Sequence, residues 1–172
     1  MSRSAFIFVS QPTAMSKAQV SGREFIFAEL AKYGLVGRTV GLTDHAPKNP
    51  LAEVCLLAKH CSGGLVLGFQ QAAAASVVYK PGTNLESKAD HASFSSPWNQ
   101  LEAGVLVSMQ RPLLVVRESG IAGGIFDPGA GEHYVNSIDL DRLDDSAAVD
   151  GLRQTIATWA GDVWQSYRSA WP

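Results

Sequence analysis

The sequence predicts an α/β fold, a doubly wound sheet of five parallel strands, and three observations carry that prediction. Short apolar runs alternate with helical stretches along the 172 residues. The runs are continuous rather than alternating, as strands covered on both faces require. No self-similar repeat of the solenoid kind interrupts them. With 46% hydrophobic and 17% charged residues in 18.4 kDa, the chain closes one sizeable core and reads as a single α/β domain, residues 1–172.

The first strand is expected at Ala5 to Ser10 and the second at Arg38 to Leu42. Between them, Lys17 to Tyr33 places Phe25, Ile26, Leu30 and Tyr33 near one stripe, and Gly34 follows as a helix stop. A second helix starts near Pro50, where a missing N–H costs little, and carries Leu51, Val54, Cys55 and Ala58 before Ser62, Gly63 and Gly64 break it. Gly64 to Gly68 is the third strand. A third helix runs from Ser96 and Pro97 to Met109, and the fourth strand is Pro112 to Arg117. Tyr134 to Ile138 is the fifth strand, and the last helix covers Asp145 to Tyr167 with Leu152, Ile156, Trp159, Val163 and Trp164 inward.

Repeated βα units with right-handed crossovers give an open sheet, most simply in flavodoxin-like order. Ligands of such sheets bind beyond the carboxyl ends of the strands. Those ends carry Ser10 to Thr13, Thr43 to His45, Gly68 to Gln71, Arg117 to Gly120 and Asp139. Two stretches depart from the repeat. Gln71 to Ser95, with an alanine run and then Tyr79-Lys80-Pro81-Gly82-Thr83-Asn84, is expected to be a long loop, either a lid over the site or a surface excursion without a role. Glu118 to Gly131 holds five glycines and a proline, which favour tight turns, but lacks the order of a dinucleotide fingerprint.

Composition excludes several classes. With 14 basic against 16 acidic residues there is no concentrated positive face, so no nucleic-acid partner is expected. Cys55 and Cys61 fit neither a multi-bridge framework nor a zinc pattern, and His60, His91 and His133 fall in separate elements, so no metal is expected. Gly-x-Ser-x-Gly is absent, which leaves a serine hydrolase without support. The apolar run Ala5 to Val9 is too short for a secretory leader, and no run suits a membrane span. A cytoplasmic protein with no membrane partner and no cofactor is the expectation.

The segment Ser95-Ser96-Pro97-Trp98-Asn99-Gln100-Leu101-Glu102-Ala103-Gly104 is the most informative. Ser96 is a good N-cap and Pro97 suits the first helical position. Glu102 then shares a helix face with Trp98 at i−4 and Asn99 at i−3, a carboxylate beside an aromatic ring and an amide. Such a carboxylate can support an oxocarbenium-like centre electrostatically or by forming a covalent glycosyl intermediate. An ordinary solvated glutamate is the alternative.

Ser96-x-Trp98-Asn99-x-x-Glu102 resembles the Ser-x-Trp-Cys-x-x-Glu segment of TIR domains, with Asn99 in place of the cysteine, and Phe6-Ile7-Phe8-Val9-Ser10 resembles their first strand. More loosely, Glu102-Ala103-Gly104 is similar to the Glu-x-Gly of nucleoside 2-deoxyribosyltransferases, although Ser96 stands where those enzymes carry an aspartate. Ser10-Gln11-Pro12-Thr13, Cys61-Ser62-Gly63-Gly64 and Gly123-Gly124-Ile125-Phe126-Asp127 look like a group of small bacterial proteins of this superfamily. The resemblance implies N-glycosidic bond cleavage or transfer on a nucleoside, nucleotide or NAD-type substrate, with Glu102 as nucleophile or oxocarbenium stabiliser.

The remaining candidates converge on the same end of the sheet. The resemblance to TIR and transferase folds implies that Ser10, Gln11 and Thr13 hold the ribose or phosphate side of the ligand, turn chemistry alone being the alternative; Asp44 and His45 could bind a hydroxyl or shuttle a proton, or form only a turn. Gly68 ends the third strand, Trp98 and Asn99 flank the carboxylate, and Arg117 could bind a phosphate or instead pair with Glu118 or Asp127. Lys80 and Lys88 could add charge from the long excursion. Two further readings belong to other classes: a sensor that binds a nucleotide-derived ligand intact, and a homo-oligomeric interaction module using Trp159, Trp164 and above all Trp171.

Overall fold

The computed structural model describes residues 4–40 and 49–170. Strand β1 (Ala5–Ser10) leads into helix α1 (Lys17–Ala31), which starts at a reciprocal cap: Ser16 accepts from the Gln19 N–H, and the Gln19 side chain accepts from the Ser16 N–H. Strand β2 (Leu35–Arg38) follows, then α2 (Pro50–Lys59), capped by Asn49, and β3 (Gly63–Gly68). After β4 (Ala72–Tyr79) and β5 (Ser87–Phe94), helix α3 (Pro97–Ser108) begins at Ser96, whose hydroxyl accepts from the Trp98 N–H. Strands β6 (Leu113–Glu118) and β7 (Tyr134–Ile138) and helix α4 (Ser146–Ala170) complete the order.

Five strands form one parallel sheet in the order β2-β1-β3-β6-β7, the flavodoxin-like arrangement. One face buries Ile26 and Leu30 of α1 and Ile156, Trp159 and Val163 of α4 against Ile7, Leu65 and Val116. The other buries Val54 and Ala58 of α2 and Ala103 and Leu106 of α3 against Phe8, Val66 and Val115. Alternate residues of each strand thus feed opposite layers, which is why the strand sequences are apolar without a break.

Two local expectations change. Strand β2 lies at Leu35–Arg38, not Arg38 to Leu42: Gly34 turns the chain at φ 69, and its carbonyl accepts from the Ala5 N–H at 3.0 Å. That bond fixes the register Ala5 to Leu35 directly after the glycine. Gly41 and Leu42 lie outside the described residues. The Gln71 to Ser95 excursion is not a loop but an antiparallel ribbon of β4 and β5, closed by a turn in which Lys80 and Gly82 have φ of 50 and 74. Its alanine run concealed it, because alanine is a poor strand former. In keeping with the glycines of Glu118 to Gly131, the β6-to-β7 connection has only a short 3-10 turn, Gly124–Phe126, where a crossover helix is usual.

Candidate active site

In the sheet order, the chain winds one way from β1 and the other way from β3, so the crevice between their carboxyl ends is the topological switch point. Ser10 is the last residue of β1, paired in register with Val66 of β3, and is only 1% exposed. The start of α3 packs over this point because the Ser96 cap and Pro97 fix where its first turn begins.

Asn99, also 1% exposed, projects from that turn and donates from Nδ2 to Ser10 Oγ at 2.8 Å. The Ser10 hydroxyl lies near the Glu102 carboxyl and acts to lower its pKa. With its oxygen accepting from Asn99, the hydroxyl keeps its proton free for a neighbouring carboxylate. Glu102 is half-buried, and burial pushes its carboxyl above the usual range, with the Ser10 hydrogen bond pulling the other way. Two buried acceptors, Asn99 Oδ1 and Gln11 Oε1, have no protein partner.

The other predicted residues are distributed differently. Trp98 shares the Glu102 face but is 44% exposed, so the indole is not the enclosed wall the spacing predicts; it sits in the first helical turn, at the surface. Thr13 is exposed. Gly68 is buried, and a Cβ there would come within 2.3 Å of the Phe126 ring, so its small size serves core packing. Arg117 pairs with neither Glu118 nor Asp127: its Nη1 donates to the Ile121 carbonyl at 2.7 Å and its buried Nε has no partner. Asp44 and His45, with Thr43, lie outside the described residues, as does Trp171. Lys80 and Lys88 lie exposed on the ribbon.

Sequence reasoning missed a network at the carboxyl ends of β3 and β6. Glu118 Oε2 accepts from Gln19 Nε2 at 2.9 Å and from the Gln70 N–H at 2.8 Å, and Gln19 Nε2 also donates to the Gln70 carbonyl. This ties α1, the end of β3 and the end of β6 together. The one signal available was the capping-box position of Gln19. No group of acidic, histidine or cysteine side chains suited to a metal occurs among the described residues.

No family model and no curated protein matches this chain. Among solved structures it is similar to an oxidoreductase from Corynebacterium diphtheriae, at 14% identity and a TM-score of 0.47 over 96% of this chain and 97% of that one. It is also similar to the metal-soaked Flv1 flavodiiron core from Synechocystis, at 9% identity and a TM-score of 0.42, covering 94% of this chain but 36% of the other.

Proposed function

We propose that the protein cleaves or transfers the N-glycosidic bond of a nucleoside, nucleotide or NAD-type substrate, with Glu102 facing the anomeric carbon. The reading rests on one observation, the half-buried Glu102 carboxyl near the Asn99–Ser10 hydrogen bond at the switch point. A half-buried carboxylate is poorly hydrated, so a positive charge developing on the sugar gains more from it than from one in open water. As the bond to the base breaks, the base leaves with the electron pair. Glu102 then either holds the oxocarbenium electrostatically or bonds to the anomeric carbon until water or a second base displaces it. Cys55 and Cys61 are in no disulfide, and no helix among the described residues is long and apolar enough to cross a membrane; a cytoplasmic reaction accords with both.

The exposure of Trp98 favours a second reading, a sensor that holds such a ligand intact, because this side of the site is open to water. Incubating the purified chain with NAD and a nucleoside and nucleotide panel, and following base release by chromatography, separates the two. Release that falls at least about a thousandfold in Glu102→Gln supports catalysis. Thermal stabilisation by a panel member recovered intact supports the sensor, and base release equal in both proteins removes Glu102 from the chemistry.

A further inference from the structure

The β4–β5 ribbon is exposed on both faces, and a two-stranded ribbon in water is marginal unless something covers it. Val78, Tyr79, Leu85 and Phe94 on it are exposed, and Leu85, at 61%, is the most exposed large apolar side chain among the described residues. Up to Ser93, which bridges to Ile121, the outer edge of β5 has no strand partner among the described residues. Lys88 and Asp90 flank Ala89 on one face of that strand, and neither is in an ion pair among the described residues.

We propose that the outer edge of β5 is a homodimer interface, in which two copies pair antiparallel about a two-fold axis through Ala89. Charge selects a second copy over any other occupant: inverting β5 on itself about Ala89 sets Lys88 opposite the partner's Asp90 and Asp90 opposite the partner's Lys88, so the strand is complementary to itself. The four strands would run β4, β5, β5, β4 as one sheet, long enough to be stable where the lone ribbon is not.

Light scattering after gel filtration, and sedimentation at several concentrations, test this on the full chain. The wild type is expected at twice 18.4 kDa. Lys88→Asp and Asp90→Lys each place like charges opposite one another at two points and should weaken association at least about fivefold. The double variant carrying both reversals restores the complementarity and should dimerise like the wild type, and the two single reversals mixed together should form a mixed dimer. Both side chains are exposed, so circular dichroism should be unchanged. A wild type that stays monomeric into the high micromolar range, or a dimer that loses less than that on charge reversal, overturns the proposal.

Discussion

A serine hydroxyl has one proton, and the partner that receives it decides what the neighbouring carboxylate feels. In Ser10 the oxygen accepts from Asn99, which leaves the proton available to the nearby Glu102 carboxylate. Removing it in Ser10→Ala takes away the one contact that lowers the Glu102 pKa, so the acid limb of any base-release profile should move to higher pH. Asn99→Leu frees the hydroxyl to turn away and should move the same limb in the same direction while leaving Asn99's buried site apolar. A pH–rate series checks both, and an unmoved limb would mean that Ser10 does not set the carboxylate. Stability carries a matching signature. Burial raises the Glu102 pKa in the folded state, so folding favours the protonated form; that contribution is complete below about 4.5 and is lost as pH rises through the raised value. Glu102→Gln should therefore melt higher than the wild type at pH 7, with the advantage fading in acid. Glu29 has the opposite sign. Burial pushes its carboxyl up, but Lys32 at 2.7 Å and Arg153 at 3.2 Å outweigh this and hold it below its usual 4.5, so its contribution is present at neutral pH and lost as pH falls.

At the scale of elements, α3 and β3 do the positioning, and their small residues show how tightly. A Cβ on Gly64 would approach Leu106 of α3 at 2.5 Å, and one on Gly68 would strike the Phe126 ring. Gly68→Ala should cost about 1–3 kcal/mol through overpacking and lower Tm by several degrees, with base release falling only as far as α3 is displaced. Calorimetry beside an activity assay separates the two effects. The start of α3 was readable in the sequence because a serine cap and a following proline leave the backbone few alternatives. So was Asn99 beside Glu102, since helix spacing alone puts them on one side. That Asn99 reaches Ser10, 89 residues away in the chain, was not readable, because a long-range contact depends on which strand lies beneath the helix. The ribbon escaped for another reason: four alanines in β4 have weak strand preference, and pairing with β5 overrides it.

The whole molecule is two apolar layers sharing the same five strands. Neither layer can be exposed without exposing strand residues that support the other, so unfolding should be one cooperative transition. Scanning calorimetry with equal calorimetric and van 't Hoff enthalpies would bear this out, and a resolved low-temperature shoulder would contradict it. The order of apolar runs made the layered architecture legible. The missing crossover helix between β6 and β7 was also foreshadowed by the glycines from Gly120 to Gly131, which deny that stretch a helix.

The two ends of the ribbon meet where it leaves the body: the Gln71 N–H donates to the Phe94 carbonyl at 2.8 Å, and Ser93 Oγ donates to Gln70 Oε1 at 3.1 Å. Closed by this clasp, the insertion enters and departs at nearly one place, so whatever lies between is free to lengthen, shrink or change composition while the carboxylate stays put. A chain of this design can acquire or discard a partner by altering its arm alone, with the reaction centre left as it was.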